Sequence, residues 1–211
     1  MALDVIKALN WRYATKQFDP TAKLSDQQLE VLKEAFNLTA TSYGLQPLKL
    51  VIVSEQAVKD KLVPLSMDQK QVQEASHVLV FCIESNLNAD FIEAYFNNVQ
   101  RLRNTPDAIL DPFKNYLKDE FATKKEAEIK AWMTKQAYLA MGNLLTVCAL
   151  EGIDACPMEG FTPAQYNSLL GLDKLGLESV LVMPVGFRAK DDMFARLKKV
   201  RRGSSQVVIE L

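Results

Sequence analysis

Residues Lys124–Glu151, KKEAEIKAWMTKQAYLAMGNLLTVCALE, decide how the rest of the chain must be arranged. Ile129, Met133, Ala137, Ala140, Leu144 and Cys148 recur in steps of three and four, the spacing that lines one face of an α-helix. The helix is predicted to stop before Gly152, since glycine readily adopts the left-handed backbone that ends helices. From Ala137 to Leu150 the apolar residues surround the axis almost completely. A helix of that kind must be covered on every side, by its own domain and by another subunit.

Working outward, Leu50–Val53 and Val78–Ile83 are short β-branched apolar runs of the kind found in buried central strands. Val180–Phe187 reads as a further strand, ending at Gly186. Gln206–Leu211 is strand-like again, and a terminal strand needs a sheet edge, its own or a neighbour's. Val5, Ile6, Leu9 and Trp11 predict a first amphipathic helix stopping near Arg12. Ser25 and Gln28 form a capping box ahead of Leu29, Leu32 and Phe36, so a second helix starts there. Residues 88–123 predict two helices outside the core, with Phe91, Tyr95, Phe96, Phe113, Tyr116 and Phe121 exposed. The 8 glycines and 8 prolines are scattered, with no linker and no repeat, which predicts a single domain over 1–211.

Composition removes several function classes. The 211 residues are 48% apolar with a formal net charge of -1, so nothing attracts nucleic acid or anionic lipid globally. The longest apolar run is far below the ~20 residues that span a bilayer. Met1-Ala2-Leu3-Asp4-Val5 lacks the basic-then-apolar order of a signal peptide. Cys82, Cys148 and Cys156 are odd in number and lack metal-ligand spacing, which predicts reduced thiols in a cytoplasmic protein without a metal. The one histidine, His77, adjoins a strand and reads as structural. HExxH, CxxC, GxGxxG and GxxxxGK patterns are all absent, so hard chemistry would belong to a bound cofactor.

Four clusters remain. Arg12-Tyr13-Ala14-Thr15-Lys16, with Phe18 beyond as an anchor, can hold an anion or can be a solvated helix end. Thr41-Ser42-Tyr43-Gly44 allows close approach to a planar ligand, or is a plain turn before the Leu50 strand. Pro157-Met158-Glu159-Gly160 can present backbone N–H groups to a ligand atom that gains negative charge, or is another turn. Lys198-Lys199-Val200-Arg201-Arg202 places four cations in five positions, a phosphate site or a charged loop.

Taken in this order, with Ala75-Ser76-His77 leading into Val78, Trp132-Met133, Gln136 and Tyr138-Leu139 in the long helix, and Val185-Gly186, the clusters resemble the FMN-dependent nitroreductase family. The branch of oxygen-insensitive NAD(P)H nitroreductases and dihydropteridine reductases is nearest. The resemblance covers essentially the whole chain.

It implies an α+β fold: a mixed central sheet flanked by helices, in an interlocked homodimer that exchanges its C-terminal strands. It also implies one FMN per site at the dimer interface, with residues 88–123 as a helical excursion over the flavin. Carried over by position, Arg12, Lys199 and Arg201 would hold the FMN phosphate, and Lys16 would sit near flavin N1 and O2. Tyr13 and Ala14 belong to the same segment. Thr41 and Ser42 of the other subunit, with Gly44 in their loop, would meet the ring and tail. Asp68 and Gln71 match positions at the ring edge, and Pro157, Met158, Glu159 and Gly160 would pack on one face with backbone near N5. The chain departs from the family at Ala14, Asp68 and Gln71, where serine, asparagine and lysine are usual, and at Gly44 and Leu48, where asparagine and tryptophan are common. The implied activity is two-electron, ping-pong hydride transfer from NAD(P)H to a nitroaromatic, quinone or other electron-poor small molecule, with no obligatory catalytic side chain. A flavin or dihydropteridine reductase, or a flavin-binding protein with little turnover, is the alternative.

Overall fold

The computed structural model describes residues 4–211. The first three residues of the amino-terminal reading, Met1 to Leu3, lie outside the described residues. The helices are α1 (Val5–Trp11), α2 (Asp26–Asn37), α3 (Gln56–Leu62), α4 (Gln71–Glu74), α5 (Ala89–Arg103), α6 (Asp107–Ala122), α7 (Glu126–Leu150) and α8 (Pro163–Leu170). The strands are β1 (Leu48–Val53), β2 (His77–Glu84), β3 (Asp154–Ala155) and β4 (Leu177–Gly186). They form a sheet of order β1-β2-β4-β3 in which every strand pair is antiparallel. The one parallel pairing among the described residues is an isolated bridge between Ala14 and Ala155.

Strand β2 has both faces buried, which is why it reads as an unbroken apolar run. Alternate side chains point to opposite sides of a strand. Leu79, Phe81 and Ile83 pack with α2, α5, α6 and α7, while Val78, Val80 and Cys82 pack with α3, α4 and α8. Between Phe81 and Cys82 the pairing with β4 slips, since Phe81 faces Leu181 but Cys82 faces Ser179. The extra residue, Val180, is a bulge that reverses the alternation. Leu177 therefore joins one layer, and Leu181, Met183 and Val185 join the other.

The capping box forms as the sequence requires: Ser25 Oγ accepts from Gln28 N at 3.2 Å, and Gln28 Oε1 accepts from Ser25 N at 3.1 Å. Helix α7, 25 residues and so about 38 Å long, buries Met133, Ala137, Ala140, Leu144 and Cys148 in the core. Its opposite side stays open, with Tyr138 and Leu139 exposed.

Three expectations change. The helices of 88–123 are not outside the core: Ile92, Phe96, Leu117 and Phe121 are buried in it. Phe96 and Phe121, expected on the surface, face inward because α5 and α6 lie against the α7 side of the sheet. Phe113 and Tyr116 are exposed as expected. Helix α1 forms, yet its apolar stripe is uncovered, with Val5, Ile6, Leu9 and Trp11 all exposed. Gln206–Leu211 forms no strand within one chain. A short helical turn spans Ser204–Gln206, and beyond it Val207, Val208, Ile209 and Leu211 are exposed. An isolated strand has no partner for its N–H and C=O groups, which is why a strand-like sequence without a sheet edge stays irregular here.

Candidate active site

Arg12 caps the C-terminus of α1, its N–H donating to Ala8 O at 3.1 Å. The chain then runs extended past the sheet: Thr15 N donates to Ala155 O at 3.3 Å, and Asp19 N to Phe187 O at 2.8 Å. Phe18 is buried in the second core layer, the anchor expected of it. These contacts hold the amino-terminal cations against the far end of the chain. Lys199 Nζ donates to Arg12 O, a contact across 187 positions.

Together the two segments enclose a cavity of about 400 Å³, lined by Arg12, Lys16, Lys198, Lys199 and Arg201 with Tyr13 and Ala14. No carboxylate lines it among the described residues. Burial lowers the Arg12 pKa, and the Arg201 charge lowers it further. Burial likewise lowers Lys199, with help from Arg12 and Arg201. Like charges crowded at one mouth destabilise one another until an anion arrives.

Three residues that the sequence reading passed over organise this cavity. Asp192 is 2% exposed and accepts four hydrogen bonds. Its Oδ2 takes Tyr13 Oη at 2.8 Å, Lys16 N at 2.9 Å and Gln17 N at 3.1 Å, while Oδ1 takes Phe194 N at 3.0 Å. Burial pushes its pKa up, but the hydrogen bonds, Lys16 N foremost, outweigh that and hold it below the ordinary carboxylate value. Arg188 lies 4.2 Å from the Trp11 ring centroid and 4.6 Å from that of Tyr13, gripped by both rings. Buried Asp154 accepts from Arg188 N at 2.9 Å and Nε at 2.8 Å. Neither carboxylate stands in a recognisable motif; only the run of Arg188 directly after Val185-Gly186-Phe187 hinted at it.

The Pro157–Gly160 turn sits beside the open side of α7. Met158 is buried and bridges Val182, donating at 2.8 Å and accepting at 3.1 Å. Tyr138 Oη donates to Glu159 Oε1 at 2.6 Å. Tyr138, Met141, Gly142, Leu145, Pro157, Met158 and Glu159 line a second hollow of about 550 Å³. The Glu159 and Gly160 N–H groups have no protein acceptor among the described residues, so both remain free to donate. Gly160 is closely packed: a Cβ there would lie 3.1 Å from both Gln69 Nε2 and Met67 Sδ, so those two side chains would have to give by a few tenths of an ångström. Gln69 Nε2 donates to Gly160 O at 3.3 Å. Thus Gln69, rather than its neighbour Asp68, touches this turn. Asp68 is exposed with a left-handed φ of 55°, and Gln71 is buried in α4.

The Thr41–Gly44 loop is positioned from elsewhere. Ser42 N donates to Gln136 Oε1 at 2.8 Å, and the Tyr43 ring stacks on Trp132 with centroids 6.1 Å apart. Thr41 Oγ1 accepts from Gln46 N at 3.1 Å. At Gly44 the φ of 72° and a Tyr95 hydroxyl 2.6 Å from any added Cβ explain the absence of a side chain. Within one chain none of these four residues lines the Arg12–Arg201 cavity. His77 is structural, its Nδ1 bonded to Ser76 Oγ at 2.9 Å. Cys82, Cys148 and Cys156 are free and buried, and no group of residues among those described is placed to hold a metal.

Comparison with known proteins bears on the fold and the family. The model of the nitroreductase family matches residues 9–187. A protein of Staphylococcus haemolyticus whose assigned name is that of an NAD(P)H nitroreductase is 30% identical over 212 aligned residues, covering 97% of this chain and 95% of that protein. Among solved structures, a nitroreductase-like protein of Streptococcus mutans superposes with a TM-score of 0.86 at 21% identity over 100% of both chains. A structure from Exiguobacterium sibiricum, reported as a nitroreductase in complex with FMN, gives 0.84 at 20% identity over 100% of this chain and 99% of that one. The last two establish the fold alone, whereas the family match and the staphylococcal relative carry the assignment. The chain belongs to the nitroreductase family.

Proposed function

We propose that the protein is an FMN-dependent NAD(P)H oxidoreductase that reduces nitroaromatics, quinones or other electron-poor small molecules by two-electron, ping-pong transfer. The observation that supports this most is the cavity where Arg12, Lys16, Lys199 and Arg201 meet without a lining carboxylate. A phosphate dianion requires several charge-assisted hydrogen bonds to offset its desolvation, and this donor set fits that need. Arg12, Lys199 and Arg201 would hold the phosphate in this reading, and Lys16 would serve the ring end, where a fixed cation favours added negative charge. The free N–H groups of Glu159 and Gly160 would be available to hydrogen-bond the flavin near N5.

When bound, the flavin supplies the hydride acceptor and donor, so the protein's work is to orient substrates and tune charge. No side chain has to move a proton. The chain operates as a homodimer, with Thr41 and Ser42 of a second copy completing the site. The open side of α7, the uncovered stripe of α1 and the exposed Val207–Leu211 tail are the surfaces that a second copy would cover. Free buried thiols fit a reducing cytoplasm. No helix among the described residues is long and apolar enough to cross a membrane.

Anaerobic stopped-flow mixing of the FMN-loaded protein with NADH or NADPH is expected to bleach the flavin absorbance, and a nitroaromatic should restore it. Bound FMN that fails to bleach would leave a flavin-binding protein with little turnover.

A further inference from the structure

The five cations of the cavity come from two segments that share no sheet and no long helix. What fixes their spacing is therefore a separate question from what charges they bear. Lys199 Nζ on Arg12 O is a single contact from a flexible stem, and Arg201 is exposed with its Nη1 on its neighbour's carbonyl, Val200 O. Neither sets a geometry. Asp192 does. Its two oxygens take three donors from Tyr13–Gln17 and one from Phe194, so one buried carboxylate spans both segments. The carboxylate itself is absent from the cavity lining and is not positioned to meet a ligand.

The contacts fix orientation as well as distance. Asp192 holds the Lys16 and Gln17 N–H groups and the Tyr13 hydroxyl at one oxygen. Trp11 and Tyr13 both stack on Arg188, which Asp154 anchors, and Arg12 between them has extended backbone. Side chains alternate along extended backbone, so gripping residues 11 and 13 turns residue 12 the other way. On the Phe194 side, a short helical turn over Met193–Arg196 starts at Asp192 and leads directly into Lys198 and Lys199.

We infer that Asp192 is the positioning residue for the phosphate end of the site, docking the carboxy-terminal basic segment onto the amino-terminal one so that Arg12, Lys199 and Arg201 converge on one anion. This rests on the FMN reading above. It makes Asp192 act mainly at the tail of the cofactor, since it holds Lys16 only by the backbone N–H: its loss weakens a ligand with a phosphate far more than one without.

Titrating the full-length protein with FMN and with riboflavin, followed by flavin fluorescence, tests this directly. Asp192→Ala is expected to weaken FMN at least tenfold while riboflavin affinity changes by less than twofold. Asp192→Asn keeps one acceptor oxygen and should recover part of the FMN affinity. Tyr13→Phe removes one of the four bonds and should shift FMN alone by about threefold. Circular dichroism identifies any variant that fails to fold; if Asp192→Ala does, the Asn and Phe variants decide. Equal weakening of both flavins, or no change in either, overturns the positioning role while leaving the FMN reading intact. A wild-type protein that binds neither flavin, or binds both equally, overturns the FMN-phosphate reading and this inference with it.

Discussion

Asp192 and Lys199 show how differently two charged residues can be read. A lysine in a basic run declares its chemistry by its neighbours, and the Lys198–Arg202 run was legible as a phosphate site or a charged loop. Asp192 follows Asp191 in a polar stretch and looks like any solvated carboxylate; its burial is created by contacts with residues 13–17 that no local pattern encodes. The two carry a testable difference in pH behaviour. The native pKa of Asp192 lies below its ordinary 3.8, so its stabilising contribution is complete above that value and is lost as pH falls through the native one. Thermal melting should therefore show a constant wild-type advantage over Asp192→Asn from pH 7 to about 5. That advantage should shrink below pH 3.8. An advantage that declines already near neutral pH would mean that another group is responsible. Beside the exposed Asp68, Gln69 is a contact to Gly160 that no pattern in the sequence announced.

Secondary elements were readable where one physical signal dominated. The capping box at Ser25, the α7 periodicity and the unbroken apolar run of β2 each specify one conformation, and each formed. Helices α3, α4 and α8 were not anticipated, being 7, 4 and 8 residues long and lacking room for a period to repeat. In α3 the pattern is further obscured by Lys59, which is fully buried with its Nζ on Ala75 O at 2.6 Å. A buried lysine reads as a surface residue in any sequence pattern. Burial in turn pulls its pKa down to about 8. Phe96 and Phe121 were misjudged because the polar composition of α5 and α6 describes their outer faces only. Ser25→Ala should cost about 1 kcal/mol in unfolding free energy, from loss of the side-chain acceptor at the N-cap. Urea unfolding measures it; a change below about 0.3 kcal/mol would mean that the cap contributes little to α2.

At the scale of the molecule, a nearly neutral chain concentrates its cations where its two ends meet. The family match ends at residue 187, short of Lys199 and Arg201, so the place of the basic tail follows from the folded geometry rather than from the match. The buried strands and the long helix were legible because they obey periodicity, whereas the expected mixed sheet is antiparallel in every strand pair, since strand direction is set by connections that periodicity does not encode. The state of the last six residues was not, because a terminal strand is specified by an edge outside its own sequence. The uncovered surfaces of α1, α7 and the tail pose the same problem, each being half of an interface in the proposed dimer. A crystal structure of the protein grown with FMN examines all of this at once. The account predicts the phosphate within hydrogen-bonding distance of Arg12, Lys199 and Arg201, with Thr41 and Ser42 of a second copy at the ring. A phosphate bound away from that cavity, or a flavin held wholly within one chain, would contradict it.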